Sequence, residues 1–131
     1  MDLDLRFRGD IVERQELLNG TQMVTLDGAT EDGAWTLAGD VSWNIGLAET
    51  HESDLTLASE ADGELFATLA AGHVRDAAGS GDADYLLDLE YRVEGGSGSL
   101  ADARGEFRLT GKLVNETFTA EVIGAVVPGA P

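Results

Sequence analysis

The 131-residue chain has no cysteine, one lysine and two prolines, and only 6% of its residues are aromatic. Without cysteine there is no disulfide, no thiol nucleophile and no thiolate zinc site. Both prolines, Pro128 and Pro131, fall in the final VVPGAP, so upstream every residue can donate a backbone hydrogen bond. No apolar run approaches the length of a membrane span. The start, MDLDLRFRGD, lacks the basic head and apolar stretch of a secretion signal, and the expected location is the cytoplasm. Positive charge is scarce: Lys112 and seven arginines stand against 25 acids, for a net charge of −17. Such a surplus repels nucleic-acid phosphate and anionic lipid, so neither nucleic acid nor membrane is an expected partner. The acids read as a solvated surface or, alternatively, as a patch for a basic partner. The length fits one domain that buries its own core.

What is present is alternation. Leu3, Leu5 and Phe7 alternate with Asp4, Arg6 and Arg8. Trp35, Leu37, Val41, Trp43 and Ile45 share one parity, as do Tyr85, Leu87, Leu89, Tyr91 and Val93 in DADYLLDLEYRV. SDLTLAS and GEFRLTGKL repeat the pattern with Leu55, Leu57, Phe107, Leu109 and Leu113. Period 2 of this kind marks half-buried antiparallel strands. Asn19-Gly20, Asp27-Gly28, Asp32-Gly33 and Asp62-Gly63 read as hairpin turns, and Asn115-Glu116 as the last one. IVERQELL, residues 11–18, fits either a short helix or a strand, and LADAR, residues 100–104, a single helical turn. About eight strands spaced by turn signals suggest a sandwich or a small antiparallel β-barrel, and the lack of a helix long enough to cover an open sheet favours closure into the barrel. The barrel is expected over residues 1–127 and a flexible tail over 128–131. Glycines 39, 72, 111 and 124 fall inside strand patterns, where they mark bends or bulges.

The stretch GGSGSLADARGEFRLTG, Gly95 to Gly111, refines this picture. Gly95-Gly96 ends a strand, Gly98 allows a tight reversal, Leu100 and Ala103 plug one end of the barrel, and Gly105 starts the next strand where a side chain would crowd the backbone. Within it, GSGSLADARGEF resembles the connection G-[ST]-G-x-[FL]-x-x-A-x-G-x-[FY] of the allene oxide cyclase-like and dirigent-like β-barrels. The hairpin FRLTGKLVNETFTAEVIG is similar to the closing hairpin of that superfamily, so the resemblance covers about the last third of the chain. It implies an eight-stranded barrel with an axial pocket for an apolar, reactive, flexible molecule. Its members include plant cyclases, dirigent proteins and small bacterial cyclases that close polyketide rings.

Strand parity supplies the candidate site. Tyr85, Tyr91 and His73 are the candidate catalytic residues; Trp35, Trp43, Leu87, Leu89 and Phe107 are the candidate substrate-binding residues. His73 shares parity with Leu65, Ala67 and Leu69 and is expected to face inward. A tyrosine can donate a hydrogen bond to a carbonyl on which charge develops, while apolar walls fold the substrate. The expected function is a cyclase or isomerase acting on a hydrophobic polyketide- or lipid-like substrate without a cofactor or metal. Alternatives are a non-catalytic carrier of a small apolar ligand and a filled barrel used for assembly; a homodimer is compatible with each. Asp76, Asp82 and Asp84 lack calcium-loop spacing, and His51 lacks further ligands at metal spacing. No nucleophile elbow or phosphate loop occurs. Asn19-Gly-Thr and Asn115-Glu-Thr match a glycosylation pattern and read as turns.

Overall fold

The computed structural model describes residues 1–17, 20–44, 50–77, 81 and 83–128, with Thr50 and His51 described by backbone alone. Eight strands follow in chain order: β1 Asp2–Glu16, β2 Thr21–Thr30, β3 Trp35–Asn44, β4 Thr50–Ser59, β5 Gly63–Asp76, β6 Tyr85–Gly96, β7 Arg104–Val114 and β8 Thr117–Val127. Each pairs antiparallel with the next, and β8 returns to β1 to close the barrel. The closing ladder runs from Asp2↔Ala125 to Asp10↔Thr117. The alternation of the sequence is the inside–outside pattern of this wall. In β6, Leu87, Leu89, Tyr91 and Val93 are buried while Leu86, Glu90, Arg92 and Glu94 are exposed. A one-residue slip would turn that whole set outward, so burial itself fixes the register. Among the described residues no helix is long and apolar enough to cross a membrane. The wall carries charge outward and apolar side chains inward, the reverse of a membrane-spanning barrel.

Three expectations change. The segment read as helix or strand is strand as far as Glu16, with Leu18 outside the described residues. Its alternation breaks because Val12 is an extra residue in a bulge between Ile11 and Glu13. Asp27-Gly28 is no turn: it lies inside β2, with Asp27 opposite Asp10 and Ala38, and Gly28 opposite Gly9 and Leu37. Gly28 is there for close approach, since a Cβ on it would stand 2.7 Å from Cζ of Phe118. The chain turns instead at Asp32-Gly33, where Asp32 accepts hydrogen bonds from the Ala34 amide at 3.0 Å and the Thr30 hydroxyl at 2.7 Å. Helical structure near LADAR is a 3₁₀ turn at Gly98–Leu100, two residues earlier than read. Asp62-Gly63 and Asn115-Glu116 turn as expected, whereas Asn19 lies outside the described residues. So do residues 129–131 of the expected tail, and β8 ends at Val127.

The two ends of the barrel differ. The β6–β7 connection folds across one end, where Leu100 and Ala103 are buried in the core. Ser99 donates to the Asp62 carbonyl from both its amide, at 3.0 Å, and its hydroxyl, at 2.7 Å, tying this plug to the β4–β5 hairpin. The C-terminal ends of β1, β3 and β5 and the Asn115-Glu116 turn all lie at the far end.

Gly9 carries the tightest constraint in the β1–β2 ladder. A Cβ there would lie 2.1 Å from the Asp27 carbonyl oxygen and 2.4 Å from Cα of Gly28. Gly9→Ala is therefore expected to destabilise the protein by about 1–3 kcal/mol or more, the overpacking range. Gly33→Ala, with open space around it and a φ of +73°, should pay only backbone strain of roughly 1–2 kcal/mol. Urea unfolding of the two variants tests the order.

Candidate functional site

The inward face brings together most of the candidate residues. Trp43, Leu87, Leu89, Tyr91 and Phe107 are all buried in one core cluster, and Tyr85 packs against it half-buried. At the far end the rings of Trp43, from β3, and Tyr85, from β6, meet edge to face with centroids 5.2 Å apart. Those strands are three apart in the sheet, so the pair spans the barrel interior. Deeper in, Tyr91 stacks on Phe107 at 5.1 Å. Its hydroxyl shares a 2.5 Å hydrogen bond with Ser53 of β4, either group donating. Burial pushes the Tyr91 phenol well above the ordinary tyrosine value; nearby Asp54 adds to the rise and the Ser53 bond opposes it. The phenol is thus held neutral in an apolar surround.

Two candidates stand apart from the far-end group, although Trp35, like Tyr85, packs partly buried against the core. Trp35 begins β3 beside the plugged end, about 26 Å from Trp43 along a strand rising ~3.3 Å per residue. One small ligand does not touch both. Trp35 lines a concavity of about 520 Å³ with Leu5, Thr30 and Asp32. His73 is exposed, against the inward reading. The cause is an irregularity in the β5–β6 ladder between Leu69 and Ala71. One extra residue reverses the parity, so Val74 takes the inward place and His73 turns to solvent. There it stands opposite Asp88 on the outer wall. A larger outer concavity, about 980 Å³, runs over β1, β6, β7 and β8 and includes Arg6, Arg8 and Lys112.

Two polar residues that parity reasoning passed over prove central. Gln22 and Ser53 are among the buried polar side chains of the described residues, at 7% and 4% exposure. Each occupies an apolar parity position, Gln22 with Val24 and Leu26, Ser53 with Leu55 and Leu57. That mismatch was the available signal. Gln22 is the cross-strand neighbour of Trp43. Gln22 Oε1 and Trp43 Nε1 are both fully buried and lack any hydrogen-bond partner. Each such group costs about 1–3 kcal/mol.

The acidic residues set aside as metal ligands are placed as follows. Asp84 accepts from the Asn115 amide at 2.7 Å and so braces the last hairpin. Asp82 and the side chain of His51 lie outside the described residues. Among the described residues no three metal-ligating side chains converge. Comparisons with protein-family models, curated proteins and solved structures returned no match.

Two pH dependences follow. The raised phenol of Tyr91 contributes stability that is whole below about pH 10 and is lost as pH climbs through the folded value. In Tyr85→Phe protein, where Tyr91 is the remaining tyrosine, phenolate absorbance should appear together with unfolding rather than before it. Tyr91→Phe should abolish that alkaline dependence and, by stranding the Ser53 hydroxyl, destabilise by about 1–3 kcal/mol. On the outer wall, the forked hydrogen bonds from Arg108 to Asp88, both 2.7 Å, hold the Asp88 carboxyl below its ordinary value, helped by the charges of Arg108, His73 and Arg75. This contribution is present above the ordinary carboxylate pKa of about 3.9 and lost as pH falls through the lower folded value. Both partners are about half-exposed, so Asp88→Asn should lower Tm slightly at neutral pH and not at all in strong acid. Thermal melts across pH check the sign.

Proposed function

We propose that the barrel binds a small, largely apolar, uncharged molecule at the far end of its interior, between Trp43, Tyr85 and Gln22. The observation that carries this reading is the difference between the ends. One end is plugged by Leu100 and Ala103, while the other gathers an aromatic pair with buried polar atoms beside it. Apolar walls with a few placed polar groups are the usual make-up of a small-molecule site. Access requires the half-buried Tyr85 ring to swing off Trp43. A closed eight-stranded wall is the architecture that the resemblance to the allene oxide cyclase-like barrels implies.

A second reading, cyclase or isomerase, is favoured by one observation: the neutral Tyr91 phenol held by Ser53. A phenol so placed can donate to a carbonyl that gains charge as a ring closes, while the walls hold the substrate folded. No side chain of the described interior is an ionised acid or base. The chemistry on this reading is therefore hydrogen-bond polarisation and conformational restraint.

Titration with the neutral apolar fluorophore N-phenylnaphthylamine tests binding. In Trp35→Phe protein, Trp43 is the remaining tryptophan, and its emission should be quenched saturably with one probe bound per chain. Leu86→Gln on the outer wall should leave the affinity unchanged. Trp43 emission that is untouched at saturating probe would overturn interior binding. For the second reading, a flexible polyketone that cyclises unaided should close faster with the protein than with Tyr91→Phe; equal rates would remove the phenol from the chemistry.

A further inference from the structure

The unpartnered atoms at the far end define the head group of the ligand, an inference that rests on the binding reading above. Trp43 is 1% exposed and its indole N–H can only donate. Gln22 is 7% exposed, and the unpartnered atom of its amide is an acceptor. The two residues are directly paired across β2 and β3, so their side chains are neighbours on the inner face. The matching group carries an acceptor for the indole and, next to it, a donor for the amide oxygen.

Charge narrows the class further. All eight lysine and arginine side chains are exposed, so none waits inside to neutralise an anion. Arg14 is the base nearest in the β1–β2 ladder, two positions along β1 from the Gln22 partner Glu16. Its guanidinium already donates to the Asn115 carbonyl at 2.9 Å, and exposed Glu16, directly opposite Gln22, offsets its charge. A carboxylate in this place would be buried without a partner, beside an amide oxygen that repels it. A pure hydrocarbon would leave both protein groups unpaired. We infer that Gln22 and Trp43 together select a neutral carbonyl compound bearing an adjacent N–H or O–H, with a carboxamide as its simplest form.

Octanamide, octanoate and 2-octanone, three chains that differ at the head, separate the possibilities. Heteronuclear NMR of Trp35→Phe protein shows the Trp43 indole N–H as a single signal. Octanamide should move that signal downfield, as a new hydrogen bond does. It should bind about tenfold more tightly than 2-octanone, the worth of one neutral hydrogen bond, and more tightly still than octanoate. Gln22→Met, close in volume, should erase the advantage of octanamide over 2-octanone. Gln22→Leu provides the same comparison if the methionine variant folds poorly. Octanoate binding as well as octanamide, or an amide preference that survives in the Gln22 variants, would overturn the head-group assignment and leave the binding reading standing. Failure of all three compounds and of N-phenylnaphthylamine to perturb Trp43 would overturn both.

Discussion

Closure of the sheet through the β1–β8 ladder is the constraint from which the rest follows. An open eight-stranded sheet would leave two edges to template other chains, and closing it removes both. To close, the strands must tilt and coil, and the inner face becomes crowded. The inward glycines are the response. Gly9, Gly28, Gly39, Gly72, Gly105, Gly111 and Gly124 all share parity with buried apolar neighbours, and a Cβ on any of them would meet another atom at 2.8 Å or less. Their missing side chains also make room for large ones elsewhere. Phe118, directly across from Gly9 and against Gly28, is buried in that space. A closed wall of this kind has little freedom to adjust, so an inward side chain must be apolar, absent or paired.

That rule makes the exceptions informative. Ser53 and Tyr91 obey it by bonding each other. Gln22 and Trp43 do not. In an otherwise consistent fold, two neighbouring violations on adjacent strands call for an explanation, because each is expensive and apolar substitutes of similar shape exist, and the proposed ligand would supply one. The opposite end shows how the chain treats a boundary that has only to be shut. Leu100 and Ala103 fill it with small apolar volume, and the backbone there is bonded to a neighbouring hairpin.

Much of this architecture was legible because alternation and burial are the same fact seen twice. Leu87 to Val93 could face inward only together, and they do. The Gly95–Gly111 stretch revealed its plug because Gly95 and Gly98 allow the positive-φ reversal that carries Leu100 and Ala103 into the core at the barrel end. Reading failed where one residue was added to a strand. At Val12 the insertion disguised the end of β1, and between Leu69 and Ala71 it turned His73 outward. No local pattern announces such a residue, because the bulge is set by the shear that the whole barrel needs. Asp27-Gly28 misled for a related reason: a glycine that allows close approach and a glycine that allows a turn are spelled alike. The polar site was half visible, since Gln22 and Ser53 sat at apolar parity in plain sequence. Parity alone could not tell which would find a partner.

The distribution of charge joins the fold to the functional reading. No lysine or arginine occurs between Gln15 and Val74, so β2, β3 and β4 form a wall that carries acids without bases. Among the described residues just two ion pairs form, Arg6 with Glu121 and Arg108 with Asp88, and both lie on the opposite side of the barrel. The net charge of −17 therefore acts as outward repulsion that the core must outweigh. All eight bases stand on the outer surface, so any inward acid would go unpaired. What remains for discrimination within the barrel is neutral: a phenol, a hydroxyl, an amide and an indole. Neutral hydrogen-bonding groups reject a ligand by leaving themselves unpaired, which can discriminate more sharply than an apolar pocket judging shape alone. Strong charge outside and none within thus favours selection by hydrogen-bond pattern, and it does so because the sheet is closed.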